Sequence, residues 1–195
     1  MVVKNPLHRS DLRIVVMDLE ASALGRGSYP IEIGIATITG MHRPIDTCST
    51  LIAPDPGWIA DGLWSDASQR LHGIGKDDLS RHGLSIQTVC ASLNELLRRN
   101  TLVVTDAPMF DQSWLDTLFG TAGIEQAFHI YEYDALCRHL DRDQYRQLVH
   151  LLDRTPTPHR AGPDAFRLAS KLVEAHSGCP AIERAVPFGL HSGDE

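Results

Sequence analysis

An α/β fold with a five-stranded mixed sheet and helices on both faces is the architecture this sequence predicts, and three observations carry the prediction. Three apolar, β-rich runs come first, at residues 12–19, 30–38 and 45–52, joined by short links containing Gly or Pro. Short links between strands read as an antiparallel meander. A helical pattern over 86–99 then separates the third run from a fourth, Leu102-Val103-Val104, and a crossover through a helix makes that strand parallel to the first. Helical patterns and one more short strand follow, so the sheet has an antiparallel half and a parallel half.

The elements can be justified in order. Residues 1–11 form an N-terminal arm. Strand one, 12–19, is rich in Ile and Val, and Gly25-Arg26-Gly27-Ser28 turns the chain into strand two at Pro30. Imperfect alternation in Ile31-Glu32-Ile33-Gly34-Ile35 implies burial on much of both faces. Gly40 ends that strand, and Pro54-Asp55-Pro56-Gly57 follows strand three. Residues 54–74 read as irregular, with Trp58, Trp64 and His72-Gly73-Ile74, and Lys76-Asp77-Asp78-Leu79 fits a short helix. Ser85 caps the helix over 86–99, whose apolar face is Ile86, Val89, Cys90, Leu93, Leu96 and Leu97. Asp106-Ala107-Pro108 opens a helix over 109–119, and 128–131 is the fifth strand. Helices over 134–139 and 144–152 precede a break at Thr155-Pro156-Thr157-Pro158. The last helix starts near Pro163, with proline suited to a first turn, and ends near His176. Residues 177–195 read as an extended or flexible tail, leaving 12–176 as one domain.

Composition narrows the function. The chain of 195 residues is long enough for one sizeable core, and 43% hydrophobic with 22% charged residues is ordinary for a globular protein. A net charge of −7 argues against gripping long duplexes with a broad basic surface. It leaves room for a cleft in which bound cations reverse the local field. Cys48, Cys90, Cys137 and Cys179 are far apart, unlike a zinc site or a disulfide framework. Neither a secretory signal nor an apolar run near the ~18 residues of a membrane span is visible, so no membrane partner is expected and a cytoplasmic location follows by elimination.

The chemistry gathers at acidic residues. Asp18 and Glu20 sit at i and i+2 at the end of strand one, so both side chains leave the same face. Carboxylates held so close repel unless a cation lies between them, and hard divalent cations such as Mg²⁺ favour oxygen ligands shared with phosphate. A solvated turn is the plainer alternative for this pair. Asp106 and Asp111 flank the start of the helix after strand four, where Asp106 also fits a helix cap. Asp164 lies at the start of the last helix, five residues after His159, and histidine suits proton transfer near neutral pH. Trp58 and Trp64 fit either base stacking or core filling, and His72 fits the holding of a turn. Arg138, Arg142 and Arg146 could follow phosphate, but Asp141 and Asp143 among them fit a solvated, mixed-charge helix face.

Asp18-Leu19-Glu20, then Phe110-Asp111, then His159 and Asp164, with Ile31-Glu32-Ile33-Gly34 and His72-Gly73-Ile74 between them, resemble the motifs of the DEDDh 3′–5′ exonucleases. That family, of RNase H-like fold, includes the proofreading subunit of bacterial replicative polymerase, ribonuclease T and the oligoribonucleases, and the resemblance spans about residues 12–176. Two departures stand out. Ala21-Ser22-Ala23-Leu24 replaces the family's Thr-Thr-Gly-Leu, keeping only the leucine wedge, and Asp106-Ala107 stands where many members have His-Asn.

The resemblance implies two Mg²⁺ (or Mn²⁺) held by Asp18, Glu20, Asp111 and Asp164, with Asp18 shared between them and His159 as general base. It further implies substrate contacts at Ala21, Ser22, Leu24, His72 and Phe110. The implied partner is the 3′ end of single-stranded DNA or RNA, trimmed to nucleoside 5′-monophosphates, with activity falling at acid pH because protonated imidazole cannot act as a base. Alternatives from other classes are a catalytically weak binding or regulatory module, a hydrolase of small phosphodiesters or dinucleotides, and a polymerase subunit. A homodimer, or a partner docked through the tail, fits the same reading. DNA and RNA are told apart mainly at the 2′-hydroxyl, for which the sequence offers no assigned contact, although His72-Gly73-Ile74 leans toward the proofreading and ribonuclease T side.

Overall fold

The computed structural model describes residues 5–189, so residues 1–4 of the N-terminal arm and 190–195 of the tail lie outside the described residues. A mixed sheet runs in the order β5-β4-β1-β2-β3-β6. Its strands are β1 (Arg13–Ala21), β2 (Pro30–Ile38), β3 (Ile45–Leu51), β4 (Thr101–Thr105), β5 (Ile130–Glu132) and β6 (Glu183–Ala185). Strands β1, β2 and β3 form the expected antiparallel meander, β4 runs parallel to β1, and β5 runs parallel to β4. The sheet has one strand more than the five expected. The additional β6 lies within the tail and pairs parallel with β3, where Arg184 grips Asp46 through two hydrogen bonds of 2.5 and 2.7 Å.

The helices are α1 (Pro56–Asp61), α2 (Asp66–His72), α3 (Lys76–His82), α4 (Ile86–Leu97), α5 (Pro108–Ala122), α6 (Tyr133–Cys137), α7 (Arg142–Asp153) and α8 (Ala161–Ser177). The stretch expected to be irregular therefore holds two short helices. Asp55 and Ser65 cap them by accepting from Gly57 N–H and Ser68 N–H, satisfying amides that have no partner inside a helix. No helix among the described residues is long and apolar enough to cross a membrane.

Strand alternation sorts the core into two layers. Ile14 and Val16 of β1 join Ala36, Ile38, Leu168, Ala169 and Leu172 beneath α6, α7 and α8. Val15, Met17 and Leu19 face the other way, into a layer with Val89, Leu93, Leu115 and Leu118 of α4 and α5. Burial of each such side chain contributes about 1.5–3 kcal/mol through removal of apolar surface from water. A smaller cluster packs Tyr29, Ile31, Ile74 and Leu79 against Trp58 and Trp64. Trp58 stacks on Tyr29 at 5.3 Å between ring centroids, so the core-filling role describes both tryptophans here.

This parity decides where the acidic residues go. Even-numbered residues of β1 and β2 face α8, and Asp18, Glu20, Glu32 and Gly34 are all even. Asp18 lies opposite Gly34 across the β1–β2 pair, and Glu20 lies opposite Glu32. The start of α8 rests directly on Gly34, where a Cβ would run into the carbonyl of Ala161 and the amide of Gly162. A glycine is required there because backbone meets backbone.

Candidate metal and active site

Four elements converge where β1 ends. Strand β1 brings Asp18 and Glu20, the start of α8 brings Asp164, the first turn of α5 brings Asp111, and the loop before α8 brings His159. Together with Leu24, Asp106, Phe110, Thr157 and Arg167 they line an open cleft of about 240 Å³. Three hollows elsewhere, two of about 310 Å³ and one of about 470 Å³, are larger but have no such convergence of carboxylates.

Oxygen atoms of Asp18, Glu20 and Asp164 all lie within 4.8 Å of one another. Asp164 divides its two oxygens: Oδ2 accepts the Arg160 N–H at 3.0 Å, while Oδ1 is buried with no hydrogen-bond partner. A buried carboxylate oxygen without a donor is costly. A divalent cation among the three carboxylates would satisfy it, so the donor set fits a hard, oxygen-seeking ion. Asp111 lies outside this triad. It is 2% exposed, and its Oδ2 accepts a hydrogen bond from the Thr105 hydroxyl. His159 occupies the left-handed region at φ 57°, unusual for a residue other than glycine and a form of strain that clusters at functional sites.

The electrostatics without a cation are strained throughout. Burial pushes the Asp18 carboxyl well above its ordinary range, and Asp111, Glu20, Asp106 and Asp164 push it further. Glu20 rises to about 7 through burial and the nearby Asp164 and Glu32, with Arg160 pulling the other way. Asp111 also rises to about 7 through burial and Asp106, against the opposing Thr105 hydrogen bond. Burial raises Asp164 too, opposed by the backbone amides of Arg160 and His159.

A pH dependence follows. In the unfolded chain these groups ionise in the ordinary carboxylate range near 4. In the folded, metal-free protein Glu20 and Asp111 hold their protons to about 7. The folded state therefore binds more protons across that window, and the stability these groups contribute is full below the window and lost as pH rises through about 7. A cation held by the cluster would replace those protons. Melting in EDTA should occur at a lower temperature at about pH 8 than at about pH 6, and the rise on adding Mn²⁺ should be larger at the higher pH. A Mn²⁺ shift of equal size at both would contradict this picture.

The remaining expected contacts divide. Leu24 and Phe110, 72% and 53% exposed, stand at the cleft. Ala21, Ser22 and His72 are buried and do not line it. The Ser22 hydroxyl donates to the Leu63 carbonyl at 2.7 Å and accepts from the Tyr29 N–H at 3.0 Å. His72 Nδ1 accepts from the Ile74 N–H at 3.0 Å, which holds the turn after α2. Sequence reasoning passed over Thr105, Arg167 and Glu32. Arg167 donates to the carbonyls of Thr155 and Leu152, both at 2.9 Å, and so ties down the loop leading to His159. Glu32 left one visible signal, a lone charge inside an otherwise apolar strand.

Comparisons with known proteins bear on the family and the fold. The RNase_T family model, described as exonuclease, matches residues 15–172. No curated protein sequence matches the chain. Among solved structures, E. coli exonuclease I in complex with a dA16 oligonucleotide is similar at 14% identity and a TM-score of 0.64, over 86% of this chain and 42% of that one. The zinc-ion-bound form of the E. coli exonuclease I–ssDNA complex is similar at 13% and 0.64, over 86% and 41%. A full-length 3′-exonuclease is similar at 18% and 0.62, over 87% and 62%. The chain thus spans less than two thirds of each of these proteins, and what it shares with them is the RNase H-like α/β fold.

Proposed function

The chain belongs to the RNase_T exonuclease family, and on that premise we propose that it is a metal-dependent 3′–5′ exonuclease of the DEDDh type, acting in the cytoplasm on single-stranded DNA or RNA. The observation that carries the reading is the triad of Asp18, Glu20 and Asp164, with an unsatisfied buried oxygen on Asp164. Similarity to an exonuclease I bound to an oligonucleotide supports the substrate class, and the zinc-bound form of that protein supports the use of a divalent ion.

Asp18, Glu20 and Asp164 would hold one Mg²⁺ or Mn²⁺, and Asp18 with Asp111 a second. Such a pair supplies Lewis-acid activation of water and of the scissile phosphate when bound. His159, at the cleft, takes the proton from the attacking water. Water oxygen bonds to phosphorus, the P–O3′ bond breaks, and a nucleoside 5′-monophosphate leaves. Leu24 and Phe110 offer apolar surface on which the last bases stack, a sequence-tolerant contact. The cleft is open at that side, which suits a strand end better than a closed dinucleotide pocket.

The test uses 5′-labelled DNA and RNA strands of equal sequence, with Mg²⁺ or Mn²⁺ against EDTA. A metal-dependent ladder shortening from the 3′ end is expected. Cleavage confined to dinucleotides would move the assignment to a small-phosphodiester hydrolase, and metal binding without any cleavage would move it to a binding module.

A further inference from the structure

Glu32 is a carboxylate in the middle of β2 with only 2% of its surface exposed. Three donors reach it from one dipeptide at the start of α8. Arg160 Nε donates to Oε2 at 2.9 Å, Arg160 Nη2 donates to Oε1 at 2.7 Å, and the Ala161 N–H donates to Oε2 at 3.0 Å. Arg160 is the N-cap residue of α8, and its own side chain makes no capping bond there. The cap is supplied instead from a strand 128 residues earlier. A carboxylate at a helix N-terminus satisfies an orphan amide and lies at the positive end of the helix dipole, and the two-pronged guanidinium contact fixes direction as well as distance.

Both neighbours of this dipeptide belong to the site. His159 precedes Arg160 and sits at positive φ. Asp164 accepts from the Arg160 N–H at one oxygen, its other oxygen has no hydrogen-bond partner, and the carboxylate lies beside Asp18 and Glu20. Whatever holds Arg160 and Ala161 therefore holds His159 and Asp164.

We propose that Glu32 is a positioning residue: from inside the sheet it pins the first turn of α8, and so sets His159 and Asp164 against Asp18 and Glu20. The proposal rests on the exonuclease reading for its kinetic consequence, but its structural consequence can be read without substrate. Glu32 does not itself line the cleft, so its loss should change the rate of the chemical step more than the grip on the strand.

Glu32→Met removes the acceptor while filling similar volume, and because the Arg160 side chain, 45% exposed, can turn to water, the change leaves no buried charge without a partner. For this variant, kcat on a labelled strand should fall at least about tenfold with KM within about threefold, a split a merely structural role would not give. Amide hydrogen exchange across 159–164 in the strand-free protein should speed up at least about tenfold. Glu32→Gln, which can still accept the Ala161 N–H, should recover part of both effects. Wild-type exchange in Glu32→Met overturns the proposal, as does a wild-type kcat. If Glu32→Met does not fold, Arg160→Met carries the same two readouts with the same expectations, and Glu32→Gln should show smaller changes in the same direction. If the wild-type protein leaves every strand intact, the exonuclease reading has failed, while the exchange result still decides the role of Glu32.

Discussion

Asp18→Asn should abolish strand shortening and at the same time raise the melting temperature of the metal-free protein. The side chain keeps its shape, so both effects are electrostatic. Asp18 sits among four other carboxylates, and burial with their repulsion already forces its carboxyl far above the usual range. An amide at this position removes that repulsion in the metal-free fold. It also removes the anion shared by both proposed cation positions, and an interaction worth several kcal/mol in the transition state corresponds to a rate loss on the order of 10³-fold or more. Melting in EDTA and initial rates in Mg²⁺, measured on the same preparation, check the pair. A variant that cuts at a tenth of the wild-type rate, or melts lower than wild type in EDTA, would refute the assignment of Asp18 to the centre of the cluster. The fall in melting temperature between about pH 6 and about pH 8 should also shrink in this variant, because burial and the acidic neighbours raise the Asp18 carboxyl as well and an amide does not titrate.

His159→Asn should lower kcat by about 10²–10⁴-fold, the usual contribution of a positioned proton acceptor. Asparagine is the informative replacement. His159 lies at φ 57°, a conformation that asparagine accepts more readily than most residues, so the loop should keep its path. The amide cannot take the proton. Mn²⁺ affinity and melting temperature should stay near wild type, since Asp18, Glu20 and Asp164 form the carboxylate triad without it. A rate within threefold of wild type would assign the proton transfer to another group. A parallel loss of Mn²⁺ affinity would instead make His159 part of the metal environment.

Much of the sheet was readable because its strands are apolar and its turns carry glycine and proline. Strand β2 runs over Pro30–Ile38, where the pattern placed it, and β1 through β4 have the expected directions. Other elements were hidden for physical reasons. Strand β6 consists of Glu183, Arg184 and Ala185, all exposed, and is held by pairing and by the Arg184–Asp46 contact rather than by an apolar face, so periodicity is silent about it. Helices α1 and α2 are each under two turns, too short for a repeat to show, and only their caps Asp55 and Ser65 announce them. Strand β5 begins at Ile130, two residues later than the apolar run, because Phe128 packs into the core instead of pairing.

The candidate site divides in the same way. Asp18 and Glu20 could be placed on one face from strand geometry alone, and Asp111 and Asp164 came from helix starts and family motifs. The contacts that hold them were not legible. Glu32 meets Arg160 across 128 residues, and Thr105 meets Asp111 only because β4 delivers its hydroxyl to the first turn of α5. Ser22 and His72 were expected at the substrate, but the Ser22 hydroxyl and His72 Nδ1 meet backbone groups within buried turns. Sequence displays chemical type and local period, whereas these contacts depend on the depth at which each turn lies.

The seating of α8 on Gly34 has a consequence for the order in which the acidic cluster is assembled. Asp164 is added to the growing chain 146 residues after Asp18 (164 − 18). Until the final helix leaves the ribosome and settles on the bare backbone of β2, the nascent chain holds only part of its acidic cluster, and its histidine does not yet exist or has no fixed place. Contacts so distant in sequence form late in folding. The topology thus completes the candidate site only when the fold closes.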